Sequence, residues 1–541
     1  MNRRLIAQPG TWEEMRAAFR WEIPARFNMA ESCCDSWARE APGKVALIDA
    51  SDGDRRWTYA ELKDASDRLA TVMAEAGVGR GDRVAVLLPQ GPAVLVTHFA
   101  AYKLGAVLLP LFALFGDDAL RYRLSDSGAK LVVTDAGGVA KLNGIRADLP
   151  DLAEVLSIDG GARDFWAEIA AAQPLPHPEE TTADDPAVLI YTSGTTGPPK
   201  GVLHAHRFLL GHLPSIELHH RFFPQEGDCG WTPADWAWIG GLMDLAMPCL
   251  YHGVPLVSLR MRKFDPAEAW DLIKRLKIRN LFLPPTALKL MRPAPVPEGV
   301  KVRSISSGGE SLGAELLEWG RQALGVEISE IYGQTECNIF IISVPGLMET
   351  RPGSMGRPVP GSEVAILDAE GRAVPPGEVG EICIRRGTPV MFLEYWGLPE
   401  KTAEKFHGDW MRTGDLGVCD EDGLYTYVAR DDDVITSAGY RIGPSEIENC
   451  LVGHPDVVMA AVVGEPDPLR TEVVVAHVVL REGAEWEGLE EVLIQRVRDH
   501  VSPHLAPRRV DRHDSLPMTA TGKILRRALR PEKGLVKRES I

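Results

Sequence analysis

The chain has 541 residues, 45% hydrophobic and 25% charged, with a formal net charge of -17. That length exceeds what one hydrophobic core serves, so several packed units are expected, and the composition excludes disordered, collagenous and mucin-like chains. An acidic surface repels polyanions, which argues against nonspecific nucleic-acid binding while allowing a nucleotide in a local pocket.

At the N-terminus Arg3 and Arg4 are followed by Gln8, Pro9, Gly10, Glu13 and Glu14, which interrupt any apolar export segment. Helical periodicity from Tyr59 to Glu75, glycines at 77, 79 and 81, and the apolar run Arg83 to Leu88 read as helix, turn and strand. The apolar stretch Ala93 to Phe115 holds His98, Lys103, Gly105 and Pro110. It reads as a buried helix, a turn and a short strand, so no membrane span is expected. Further strands are predicted at Lys130 to Thr134, Ala187 to Tyr191, Asn280 to Leu283 and Val302 to Ser306, each followed by turn residues or a helix start. The alternation predicts an α/β fold in layers.

After Pro352, short strands such as Val364 to Leu367 and Glu381 to Ile384 lie between Gly and Pro turns, predicting a β-rich, mostly antiparallel subdomain at about 350–430. The charge cluster Arg430-Asp431-Asp432-Asp433 marks the next boundary, between an N-terminal domain, 1–431, and a small α+β C-terminal domain, 432–541. The latter reads as helix (Ser445 to Leu451), strands (Val457 to Val463, Glu472 to Leu480), helix (Leu489 to Val501) and a basic helix after Lys523. Eight scattered cysteines show neither a C-x2-C pair nor a histidine at ligand spacing, so free thiols in a reducing, cytoplasmic setting are expected.

The strongest local signal is the loop Tyr191-Thr192-Ser193-Gly194-Thr195-Thr196-Gly197-Pro198-Pro199-Lys200-Gly201, placed directly after a buried strand. Backbone N–H groups and hydroxyls in such a loop surround phosphate oxygens. It is not a Walker A loop: counted from Gly194, Pro199 stands where the second glycine belongs, and Gly201 follows Lys200. A flexible polar surface loop is the alternative for a generic Gly/Ser/Thr stretch.

Ser307-Gly308-Gly309-Glu310, Tyr332-Gly333-Gln334-Thr335-Glu336, Thr413-Gly414-Asp415, Arg430 to Asp433 with Ser437-Ala438-Gly439-Tyr440-Arg441, and Thr519-Ala520-Thr521-Gly522-Lys523 follow in order. With these motifs the chain resembles the adenylate-forming superfamily over essentially its whole length, and looks most like its short- and medium-chain acyl-CoA synthetases. The resemblance implies a large N-terminal domain of layered α/β subdomains and a mobile C-terminal domain. It also implies ATP, Mg2+ and coenzyme A as the reaction's small molecules, with a carboxylic acid as substrate.

Joining a carboxylate to ATP brings two anions together, so the site must supply positive charge. By resemblance Lys523 is that catalytic lysine, Thr335 contacts the α-phosphate and Glu336 binds the metal. Thr192, Ser193, Gly194, Thr195, Thr196, Gly197 and Lys200 then form the phosphate loop. Tyr332 packs on adenine, Gly308, Gly309, Glu310, Gly333 and Gln334 complete the nucleotide site, and Asp415 and Arg430 reach the ribose. Asp432 is the hinge, Gly439, Tyr440 and Arg441 lie at the pantetheine tunnel, and Trp238 lies near the acyl entrance. Each of these residue types, taken alone, is more often a solvated surface group or ordinary core.

Acetate- and propionate-specific relatives carry a tryptophan where Gly333 stands, so an emptied indole space predicts a longer or bulkier acid, at ~0.8 kcal/mol per buried methylene. Medium-chain, branched and aromatic acids fit this reading, and no second charged group on the acid is expected. The tail's Arg526, Arg527, Arg530 and Lys533 are basic enough to attract the phosphates of CoA. The spacing from Pro517 to Lys523 resembles the context in which related ligases are acetylated, so a lysine acetyltransferase is a candidate partner. A homo-oligomer is left open. A ligase loading a carrier protein and a non-catalytic acyl-adenylate sensor are the alternatives; the short stretch after Lys523 argues only against a fused carrier domain, and a sensor is expected to lack Lys523 or Glu336.

Overall fold

The computed structural model describes residues 3–6, 10–192, 198–261, 263–310, 312–430, 433–437, 440–467, 470–503, 505–519 and 523–530. Ser193, Gly194, Thr195, Thr196, Gly197, Asp432 and Gly439 lie outside the described residues, as do the side chains of Tyr440 and Arg441.

One sheet has a parallel centre: Val107–Pro110, Arg83–Leu87, Ala129–Thr134 and Glu154–Ser157 lie side by side. Such strands are covered on both faces, which explains their continuous apolar runs. Helix Tyr59–Glu75 opens with a capping box in which Thr58 and Glu61 satisfy each other's backbone N–H. Helix Pro92–Lys103 is buried from Ala93 to Lys103. Its Lys103 ends in the interior between Asp35, at 2.9 Å, and Asp67, at 2.5 Å, so its charge is compensated where an unpaired ammonium would be costly. Strand Pro186–Thr192 joins the parallel centre, and Lys200–Ala205 returns antiparallel to it. The phosphate-loop candidate therefore joins two antiparallel strands, whereas a P-loop leads from strand to helix.

The second sheet carries the other motifs. Asn280–Phe282, Ser304–Gly308 and Ser329–Gln334 run parallel, and Asn338–Ile342 folds back antiparallel on the last. From there the same path continues through Ser354–Pro358 into Tyr425–Arg430, Trp410–Cys419, Gly380–Arg385 and Val364–Leu367, all antiparallel. The region about 350–430 is β-rich and antiparallel as its turns predict, but it extends the main sheet. Its Glu394–Tyr395 also crosses to the first sheet to pair with Lys200–Ala205.

The small C-terminal unit packs helices Pro444–Val452 and Leu489–His500 with a sheet of its own. Strand Val457–Asp467 runs past the predicted Val463 because Glu465, Pro466 and Asp467 keep pairing with Val473, Glu472 and Thr471. The basic helix expected after Lys523 is, among the described residues, a short 3-10 turn, Arg526–Ala528. Arg526 grips Glu448 through two contacts, at 2.8 and 2.7 Å, and Arg530 lies 3.7 Å from Asp433. Arg526 and Arg530 are thus engaged in holding the small unit together.

All eight cysteines are free thiols. Among the described residues no helix is long and apolar enough to cross a membrane.

Candidate active site

The motifs converge at the C-terminal ends of Ser304–Gly308 and Ser329–Gln334, where ligands bind in open α/β sheets. A Cβ on Gly308 would lie 2.6 Å from the Ile331 carbonyl, and Gly309 has a φ of +99°, so both positions require glycine. Glu310 lies 3.8 Å from Lys289.

The next strand ends in a hairpin turn. Gln334 pairs with Asn338, leaving Thr335, Glu336 and Cys337 as its tip. Asn338 closes the turn with a φ of +34°, a left-handed conformation that asparagine tolerates better than most residues. The tip holds Thr335 beside Glu336, whose carboxylate accepts the Tyr395 phenol at 2.5 Å. Lys200 lies 5.0 Å from the Tyr395 ring centroid, so Tyr395 links the phosphate-loop lysine to the metal-binding candidate.

On the nucleotide side Tyr332 donates its hydroxyl to Asp415 at 2.7 Å. Asp415 is opposite Arg430 in the antiparallel ladder, and the two side chains lie 3.5 Å apart. Burial raises the Asp415 pKa, and Arg430 pulls it back toward the carboxylate. Gln334 donates to the Thr413 carbonyl at 3.1 Å, locking the two motifs together.

Lys523 reaches this centre from the small unit. Its backbone N–H donates to the Thr519 hydroxyl at 3.0 Å, and its Cε would lie 3.4 Å from a Cβ on Gly309, with Trp238 at 3.5 Å from the same point. The side chain keeps an open face to solvent, while the cleft walls strip water from it. That desolvation lowers its pKa, Arg430 acts in the same direction, and Glu310, Asp415 and Glu336 oppose it. Thus Lys523, Gly309, Trp238, Glu336, Asp415 and Arg430 share one cleft. Thr192 and Lys200 flank its phosphate-loop side as paired strand residues.

Gly333 does not leave an empty indole space. A Cβ there would lie 1.4 Å from the Asn338 carbonyl oxygen, so the volume is filled by the returning hairpin strand. Asp244, which no motif of the sequence singles out, is 4% exposed and accepts a hydrogen bond from Asn338. Sequence reasoning missed Tyr395 as well, because it sits in a strand far from every quoted motif. A further omission is a cavity of about 150 Å³ in the small unit, lined by Ser437, Arg470, Arg498 and Arg508. Among the described residues none of these three arginines pairs with a carboxylate, and only the folded sheet brings them together.

Comparison with known proteins adds the family. The AMP-binding enzyme family matches residues 34–396, and the AMP-binding enzyme C-terminal domain matches residues 446–523. The acetyl-coenzyme A synthetase of Bacillus subtilis (strain 168) is 34% identical, covering 96% of this chain and 93% of its own. The mitochondrial acyl-coenzyme A synthetase ACSM3 of Mus musculus is 33% identical over 96% of this chain and 93% of its own. Among solved structures, the anthranilate CoA ligase AuaEII in complex with anthranoyl-AMP superposes with a TM-score of 0.86 at 28% identity, covering 94% of this chain and 97% of the other. With matches that run through both units and a cleft that gathers the motifs of each, the chain belongs to the AMP-binding enzymes and, within them, to the acyl-CoA synthetases, which are acid–thiol ligases.

Proposed function

We propose that this enzyme joins a medium-chain, branched or aromatic carboxylic acid to CoA in two steps through one cleft. In the first, a carboxylate oxygen attacks the α-phosphorus of ATP and the bond to pyrophosphate breaks, giving acyl-AMP. In the second, the CoA thiolate attacks the acyl carbon and AMP leaves. The observation that carries this reading is Lys523, delivered by the small unit over Gly309 and beside Trp238. There its ammonium meets both the incoming carboxylate and the charge that grows on the α-phosphate. Thr335 offers its hydroxyl at the same phosphate. Tyr332 packs against adenine, while Asp415, aligned by Tyr332 and Arg430, accepts the ribose hydroxyls.

Glu336 suits a magnesium ion, because Tyr395 takes one carboxylate oxygen and no described residue donates to the other. When bound, such an ion neutralises phosphate charge. Ser193, Gly194, Thr195, Thr196 and Gly197 are the proposed phosphate loop, with Lys200 at its end. Asp432 is the proposed hinge about which the small unit turns between steps, bringing Gly439, Tyr440 and Arg441 to the pantetheine. The phosphates of CoA suit the cavity of Arg470, Arg498 and Arg508, whose charges have no carboxylate partner among the described residues. The aromatic arm of the substrate range gains support from the likeness to an anthranilate ligase, not from Gly333. Acetylation of Lys523 by a lysine acetyltransferase would remove the charge the first step needs.

The test is acid-dependent release of pyrophosphate and AMP with and without CoA. Lys523→Ala is expected to slow acyl-AMP formation by about a hundredfold or more, while CoA still captures chemically supplied acyl-AMP. Pyrophosphate release indifferent to CoA would transfer the acceptor role to a carrier protein.

A further inference from the structure

Behind the turn of Thr335, Glu336 and Cys337 lies a run of buried polar side chains that neither step uses. His212, Asn338 and Asp244 come from helix Phe208–His219, strand Asn338–Ile342 and the helical segment Leu242–Ala246 that follows Trp238. They are 0%, 5% and 4% exposed. The hydrogen bonds among them have one sense. His212 Nδ1 lies 2.7 Å from the Phe208 carbonyl, which only accepts, so Nδ1 carries the proton and Nε2 is an acceptor. The Asn338 amide nitrogen then donates one hydrogen to His212 Nε2 and the other to Asp244 Oδ1, at 2.5 Å for the latter. Its donors are spent. With Asp244 as the carboxylate, two acceptors are left, the Asn338 amide oxygen and the second oxygen of Asp244, and no described residue donates to either.

Neither oxygen is sealed from solvent, so each stays open to a donor on a molecule that enters beside it. The position says what completes them. The Asn338 carbonyl fills the space beside Gly333, and Trp238, at the head of the segment leading to Asp244, flanks Gly309 and Lys523. The pair therefore lies on the acyl side of the reaction centre, behind the place where the carboxylate must sit to meet Lys523.

Resting on the ligase reading above, we infer that the acid carries a hydrogen-bond-donating substituent, an amino or hydroxyl group, that Asp244 and Asn338 receive. Burial holds the Asp244 carboxyl well above its ordinary range, and an incoming ammonium supplies the charge that returns it to the carboxylate. A hydroxyl serves either form, since it donates to the carboxylate and accepts from the acid. His212 fixes the Asn338 amide, so the recognising oxygens are oriented before the substrate arrives.

Matched acids test this: benzoate and hexanoate, each against its amino- and hydroxy-substituted forms, read as kcat/KM for CoA-dependent AMP release. The wild-type enzyme is expected to favour a substituted member by about tenfold or more over its plain counterpart. Asp244→Leu should bring that ratio toward one. Asp244→Asn, nearly the same in shape, guards against a folding failure and should lose more of the preference for the aminohexanoates, which are ammonium ions, than for the hydroxy forms or the uncharged aminobenzoates, because it cannot become anionic. Equal use of plain and substituted acids by the wild type overturns the inference, as does an unchanged ratio in both variants. A uniform loss on every acid with an unchanged ratio makes the cluster a strut of the hairpin and also overturns it. Failure of every acid to release pyrophosphate overturns the ligase reading itself, a separate outcome.

Discussion

The two sides of the cleft share strand Ser329–Gln334 and differ in how their groups are held. On the proposed nucleotide side, Tyr332, Asp415 and Arg430 are bound to one another across adjacent strands, so the proposed ribose acceptor is oriented by the protein itself. On the proposed acyl side, Gly333 is pressed against the Asn338 backbone, and Asn338 holds Asp244 by a single hydrogen bond from its amide. A common cofactor allows a closed, self-supporting site, whereas a site that must distinguish one acid from others leaves part of its hydrogen bonding to the ligand.

The sharpest way to break this comparison is on the nucleotide side. Asp415→Ala removes the proposed ribose acceptor and strands the Tyr332 hydroxyl, so KM for ATP is expected to rise about tenfold to a hundredfold, with KM for the acid little changed. A matching rise for the acid would mean that the two sides are not separately built. Next comes Gly333→Ala. Its methyl meets the Asn338 carbonyl, so the hairpin must shift at a cost of about 1–3 kcal/mol, seen as a lower melting temperature and slower turnover of all acids alike. Unchanged melting with a new preference for short acids would restore the open-space reading.

The smallest effect concerns Glu330, on the same strand, which accepts the Leu312 N–H at 3.0 Å and whose carboxyl burial pushes up to about 8. An unfolded glutamate ionises near 4.3. Between those values the folded chain holds a proton that the unfolded chain releases, so this group's contribution to stability declines as pH rises toward 8 and then levels off. Melting temperatures of wild type and Glu330→Gln, compared across that window, should diverge in favour of the variant as pH increases. A constant difference would show that Glu330 is already ionised in the folded state.

That the motifs gather in one place was legible because each is a short run whose residues stay neighbours after folding. Ser307 to Glu310 and Tyr332 to Glu336 end adjacent strands, and the apolar runs preceding them mark those strands. Helix Tyr59–Glu75 was legible to the residue, since Thr58 and Glu61 announce its start and its apolar spacing carries it through. The acyl side was misread at Gly333, where a missing side chain was taken for empty volume although backbone from five residues on occupies it. The partners of Arg526 and Arg530 were hidden for a related reason: charge in the sequence does not reveal a partner, and Glu448 and Asp433 were near only in space.

By itself the sequence determined the α/β layering, the order of the motifs and the enzyme family they mark, because periodicity and short-range spacing survive folding unchanged. Only the tertiary structure decided that Tyr395 holds Glu336, that three arginines from separate stretches line one cavity, and that Asp244 and Asn338 share an unfinished hydrogen-bond network. Those contacts depend on where distant segments pack, and packing is a property of the whole core.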